Sequence, residues 1–153
     1  MQYLEACSIK MKTLIIDDDI NVLECYKNII GSDHVSLVDF MDNPKTALEI
    51  LQSGNKIYNR VISEMFFENV NINGFDILNA ARRQNISERI ILTSISNPVI
   101  NRLTNATLFI RKPLTKRKIE MIVYDPIEEI SRAFGKNEFS KTPAFSMAKS
   151  VFI

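Results

Sequence analysis

The stretch TLIIDDDINVLECYKNIIG, residues 13 to 31, changes its periodicity halfway along. TLIID (13–17) is a short apolar run of strand-forming residues. After it, Val22, Leu23, Tyr26, Ile29 and Ile30 recur at helical spacing, and Gly31 follows as a stop. A strand leading into an amphipathic helix is the repeating unit of a parallel sheet covered by helices. The fold therefore depends on whether that unit recurs.

It recurs along most of the chain. VSLVDF (35–40) reads as the second strand, and Asn43 as N-cap with Pro44 in the first turn opens a second helix with Ala47, Leu48 and Leu51 on its inner face. RVISEMFF (60–67) is the third strand. Polar ENVNING (68–74) then passes through the turn pair Asn73-Gly74 into a third helix, where Phe75, Leu78 and Ala81 or Arg82 follow the period. RIILTS (89–94) is a fourth strand, NPVINRL (97–103) a short fourth helix and ATLFIRK (106–112) a fifth strand. Ile119, Ile122 and Val123 form the inward face of a fifth helix. Asp125-Pro126 breaks that helix, because the residue before a proline is pushed out of the helical region. A further amphipathic turn follows through Ile127, Ile130 and Phe134 to Gly135. The division expected is an N-terminal extension (1–11), an α/β domain (12–124), and a C-terminal helix and tail (125–153), with the last residues a mobile tail or a clasp.

Composition narrows the function classes. A chain of 153 residues that is 46% hydrophobic and 24% charged can bury a core as one domain. Nineteen basic against 18 acidic residues leave a formal charge of +1, which exerts no long-range pull on nucleic acid or an anionic membrane. The run TKRK (115–118) is a solvated face rather than a nucleic-acid site. Two cysteines, Cys7 and Cys25, lack disulfide-framework or metal spacing and point to a reducing cytoplasm, with Cys25 expected in the core of the first helix. No apolar stretch approaches bilayer length, and the first ten residues do not read as a signal peptide. A soluble cytoplasmic protein is the expectation.

In an open parallel sheet, ligands bind beyond the carboxyl ends of the strands, where the strand order reverses. The first strand ends in Asp17, Asp18 and Asp19, the third carries Glu64, the fourth ends in Thr93 and Ser94, and the fifth ends in Lys112. Carboxylates gathered in one place repel one another and hold protons unless a cation joins them. Mg2+ takes oxygen ligands from one or two carboxylates and keeps several waters. With Lys112 and the Thr93 hydroxyl nearby, the set describes a place for a small anionic group beside a metal, as phosphoryl transfer requires. Asp19 also reads as the N-cap of the first helix.

LIIDDD, RVISEMFF, Asn73-Gly74, ILTS and FIRKP, in this order on successive strand ends, resemble the receiver domain of two-component response regulators over about residues 12 to 124. The resemblance implies a flavodoxin-like (CheY-like) five-stranded parallel sheet in the order 2-1-3-4-5 with helices on both faces. It implies Mg2+ on Asp17, Asp18, the strand-three carboxylate and the backbone carbonyl of Phe66. It also implies phosphoryl contacts from Thr93 and Lys112, and a mobile aromatic at Phe109. The family's phosphoacceptor is an aspartate where this chain has Glu64. The extra methylene carries the carboxylate about 1.5 Å farther, toward the space a phosphoryl group on aspartate would fill, and in-line transfer tolerates such misplacement poorly. Other departures are a missing proline after the third strand, a longer loop to Gly74, and a segment between Thr93 and Lys112 about one helical turn short.

These readings converge on a non-enzymatic, single-domain atypical receiver. It would act independently of phosphorylation by binding a protein, a histidine kinase or a downstream effector, through the side running from the fourth strand to the fifth helix. The salt-bridged alternative for Glu64 is a purely structural pair with Lys112. Two further functions stand beside this one: a receiver of a phosphorelay that still responds to phosphoryl donors or Mg2+, and a phosphohydrolase of the haloacid dehalogenase type. The second would use Asp17-Asp18-Asp19 as its DxD opening, but needs a later acidic pair that does not follow Lys112.

Overall fold

Five short strands form one parallel sheet in the order β2-β1-β3-β4-β5, the three central ones the most deeply buried. The computed structural model describes residues 12–31, 37–54, 58–93 and 107–135. Its elements are β1 (Thr13–Ile16), α1 (Ile20–Ile30), β2 (Val38–Met41), α2 (Pro44–Ser53), β3 (Arg60–Glu64), α3 (Gly74–Arg83), β4 (Glu88–Thr93), β5 (Thr107–Arg111), α4 (Lys116–Tyr124) and α5 (Ile127–Ile130), followed by a π-helical turn (Ser131–Gly135). β1 pairs with β2 on one side, Thr13 opposite Val38, and with β3 on the other, Thr13 opposite Arg60. The strand order therefore reverses at β1, and the crevice beyond β1 and β3 is the place for a site. The flavodoxin-like order expected from sequence is the order found. The short fourth helix expected at 97–103 lies outside the described residues.

Alternation along the strands divides the core in two. Leu14, Ile16, Val61, Ile91 and Phe109 face α2 and α3, where Ala47, Leu51, Ile77, Leu78 and Ala81 meet them. Ile15, Ile62, Ile90, Leu92 and Ile110 face α1 and α4, against Leu23, Tyr26, Ile30, Ile119, Ile122 and Val123. Burial on both faces is why the central strands β1, β3 and β4 read as largely apolar runs. Ile130 of α5 is fully buried in the second layer and Phe134 packs against it, so the segment after Pro126 is part of the core.

Capping sets the helix starts as expected. The Asn43 side chain accepts from the amides of Lys45 and Thr46 ahead of α2, and a cap of this kind is worth about 1 kcal/mol. α4 stops at Tyr124, before Asp125-Pro126. Several details differ from the sequence reading. β2 runs Val38–Met41 rather than from residue 35, because its partner β1 offers only four residues; residues 35 and 36 lie outside the described set. In α3 the inward position is Ala81, fully buried, while Arg82 is exposed. Cys25 is exposed on α1 instead of in its core, since Tyr26 takes the inward position beside it. β3 ends at Glu64 and not at Phe67: Met65 still donates to the Leu92 carbonyl at 2.9 Å, but its own carbonyl accepts from Gly74 at 2.8 Å. The chain thus leaves the sheet for a loop that closes on itself. Among the described residues, no helix is long and apolar enough to cross a membrane.

Candidate functional site

The three consecutive aspartates after β1 have three different tasks. Asp17 is buried at 1% exposure, and its Oδ1 accepts from the Asp19 amide at 2.9 Å. Asp18 turns across the crevice, where its Oδ2 accepts from the Glu68 amide at 2.8 Å and ties down the loop after β3. Asp19 caps α1 by accepting from the Asn21 amide at 2.9 Å. A strand end that points one side chain inward, one sideways and one onto a helix start explains why three identical residues are not interchangeable.

Glu64 closes β3 beside Asp17, and Lys112 follows directly on β5. The Lys112 ammonium donates to Glu64 Oε2 in a short, direct ion pair, and it lies 3.5 Å from Asp17 Oδ2. Burial pushes the Glu64 carboxyl up to about 7, the hydrogen-bonded Asp17 carboxyl adds to the rise, and Lys112 pulls against it. Burial works to lower the Lys112 pKa, but the hydrogen bond and negative charge of Glu64 and the charge of Asp17 outweigh it and raise the group above its ordinary value. Tyr26 points its hydroxyl into the protein below this cluster. The hydroxyl has no hydrogen-bond partner among the described residues, and burial, then the charges of Asp17 and Glu64, raise its pKa well above normal. Two carboxyls and one ammonium, largely out of water, form a self-neutralising unit that can hold or release one proton near neutral pH.

The loop after β3 is built onto this unit. Phe66 and Asn73 face each other in an antiparallel bridge, and Asn73 caps α3 in a capping box with Asp76. Gly74 returns so close to the strand that a Cβ there would stand 2.5 Å from the Glu64 carbonyl oxygen and 3.0 Å from Met65 Cα. No other residue fits without moving the backbone that carries Glu64. The loop leaves Phe66 and Val70 exposed at 49% and 42%, with Ile20 at 60% where α1 begins.

Asp17, Glu64 and Lys112 are thus brought together, whereas Asp18 is engaged by the loop after β3. Phe66 lies at the loop's foot, its side chain outward. Thr93 ends β4 in register with Arg111, and its side chain lies outside the described residues. Phe109 is buried at 2% with its ring 6.2 Å from that of Phe75 on α3. As a shell for a divalent ion the donors do not fit as they stand. Both oxygens of Asp17, one of Asp18 and one of Glu64 already serve protein N–H groups. Among the described residues, no group of three or more carboxylate, thiol or imidazole side chains is gathered to hold a metal.

Sequence reasoning missed a second buried charge at the other end of β3. Arg60 is 2% exposed; its Nε donates to Glu88 Oε2 at 2.9 Å, Nη1 to the Ile122 carbonyl at 2.8 Å and Nη2 to the Asp125 carbonyl at 2.7 Å. The signal was present in the parallel register, which sets Arg60 directly opposite Glu88. The guanidinium bonds two carbonyls at the end of α4 that helix geometry leaves without partners.

No protein-family model matches the chain, and no curated protein matches it by sequence. Solved structures do match its fold. A response regulator receiver protein from Sinorhizobium medicae superposes with a TM-score of 0.59 at 15% identity, over 80% of this chain and 95% of that one. A response regulator receiver domain protein from Clostridium thermocellum gives 0.59 at 23% identity, over 80% and 96%. A response regulator from Burkholderia pseudomallei, solved with a phosphorylated aspartic acid, a calcium ion and citrate, gives 0.59 at 14% identity, over 80% and 72%.

Proposed function

The chain has the fold of response regulator receiver domains, and from that premise we propose that it is a signalling module of receiver type whose output does not depend on phosphoryl transfer. It acts by binding a protein partner, a histidine kinase or a downstream effector, and turns over no substrate. The observation that carries this reading is the closed unit of Glu64, Lys112 and Asp17. Glu64 takes the phosphoacceptor position, its longer side chain occupies room that a phosphoryl group on aspartate needs, and its carboxylate already holds the lysine that would receive that group. A fixed carboxylate reproduces the phosphorylated state in part, with one negative charge where a phosphoryl group brings about two. Thr93 and Phe109 take the places of the switch hydroxyl and aromatic. The partner surface lies along β5 and α4, where Arg111, Lys116 and Arg117 are exposed.

The test is a titration of the native protein and of Glu64→Asp with Mg2+ and beryllofluoride, a phosphoryl mimic, read by amide chemical shifts. Only the aspartate variant is expected to respond. A Mg2+-dependent response of the native protein centred on Glu64 would replace this reading with that of a phosphorelay receiver. Steady release of phosphate from a phosphomonoester would replace it with that of a hydrolase.

A further inference from the structure

A cleft with three acidic side chains ordinarily calls for a divalent cation, yet this one carries a cation of its own. Mg2+ requires a near-octahedral oxygen shell at about 2.0–2.1 Å, with carboxylate oxygens free to point at one centre. Here Lys112 donates to Glu64 and lies 3.5 Å from Asp17, between the two carboxylates that such an ion would have to join. The other Asp17 oxygen is turned away to the Asp19 amide, and Asp18 is drawn toward the loop by the Glu68 amide, both over 2.9 Å or less. Glu64 reaches Lys112 because it is a glutamate. Gly74, packed against its carbonyl, fixes the backbone from which it reaches.

We infer that the Lys112 ammonium is the resident cation of this cleft and displaces the divalent ion, so that the native protein is metal-independent at this site. The inference rests on the receiver-type reading of the cleft and adds how the site does without a metal: its negative charge is offset by a covalently attached group whose occupancy does not vary with the ion content of the medium. An ammonium and a divalent cation a few ångströms apart repel strongly in a half-buried crevice. Removing the lysine charge should therefore open the site to metal.

The probe is Mn2+, followed by loss of the paramagnetic resonance signal of the free ion, with the full chain. Native protein is expected to take up no Mn2+ at the cleft up to about 10 mM, whereas Lys112→Met should bind at least about tenfold more tightly. Adding Asp17→Asn to Lys112→Met should abolish the gain. Because Lys112→Met strands buried carboxylates, Lys112→Gln is measured beside it; it keeps a donor for Glu64 while losing the charge, and circular dichroism identifies which variant is folded. The inference is overturned if native protein binds Mn2+ in an Asp17-dependent manner, or if a folded lysine variant gains nothing. Native protein that binds Mn2+ but is unmoved by beryllofluoride removes this inference alone. Native protein that responds to beryllofluoride removes the functional reading as well.

Discussion

Replacing Glu64 with glutamine should flatten the pH dependence of stability. The carboxyl rises from 4.5 to about 7 in the folded protein, chiefly because burial disfavours its charged form. An acid raised in this way is protonated in the folded state at pH values where the unfolded chain has already released its proton. The folded state therefore binds more protons across that interval, and stability falls as pH rises from about 4.5 through about 7, then levels off. Taken at face value the shift is worth about 3 kcal/mol. The side chain keeps 13% exposure and has Lys112 against it, so screening and relaxation reduce the expected loss to about 2 kcal/mol. Lys112, raised above its ordinary value, contributes stability that is lost only at alkaline pH, outside this interval. Glutamine cannot ionise, so the variant should gain on the native protein by about 2 kcal/mol between about pH 4.5 and 8. Urea unfolding followed by far-ultraviolet circular dichroism measures this directly, the chain having no tryptophan for fluorescence. Parallel curves for the two proteins, or a native protein that grows more stable over the interval, would refute the account of Glu64.

Three further outcomes follow from the geometry around β3. Arg60→Met should cost about 3–5 kcal/mol in urea unfolding, because Glu88 and the carbonyls of Ile122 and Asp125 lose a buried partner; a loss under about 1 kcal/mol would mean the guanidinium is not anchoring α4. Gly74→Ala should lower stability by about 1–3 kcal/mol, since the added carbon meets backbone rather than a yielding side chain, and unchanged shifts at Glu64 and Met65 would contradict the close approach. Asp18→Ala should speed hydrogen exchange at the Glu68 amide about fivefold or more, corresponding to about 1 kcal/mol of lost hydrogen bond, while leaving global unfolding nearly unchanged; equal exchange in both proteins would remove the tie between Asp18 and the loop.

The fold was legible because the central strands are buried on both faces and the helices on one, so two different periods of apolar residues alternate along the chain. The exact length of β3 was not. RVISEMFF is apolar to its end, since Met65 and Phe67 are buried in the loop as thoroughly as strand residues, and only the hydrogen bond from Gly74 to Met65 shows where the ladder stops. Glu64 was legible as an anomaly in an apolar run, and its pairing with Lys112 followed from strand order. The separate roles of Asp17, Asp18 and Asp19 were only partly legible: the cap was readable from position, whereas the reach of Asp18 to Glu68 depends on a loop conformation that composition does not encode. Arg60 escaped notice because an arginine opening a strand reads as an exposed end, and only the three-dimensional placement of the α4 terminus makes it a buried clamp.

These placements give β3 a particular standing in the molecule. This central strand carries an ionisable side chain at each end, buried Arg60 held by β4 and α4, and half-buried Glu64 held by the residue after β5. The two ends differ in kind. The Arg60 guanidinium is held mostly by backbone carbonyls, so it is a fixed anchor. The Glu64 end consists of side chains only, with a carboxyl poised near neutrality, and is the part that can change state. Any change there reaches β5 through Lys112, whose neighbour Arg111 closes the edge strand on the proposed partner surface. In a receiver that uses an aspartate, a phosphoryl group would make that connection on demand; on the function proposed, the Glu64–Lys112 pair makes it without any modification. Under the function proposed, the input is then the arrival of the partner rather than the modification of the cleft. Glu64→Asp, which shortens the link without removing the charge, separates these two designs more cleanly than any substitution on the partner surface.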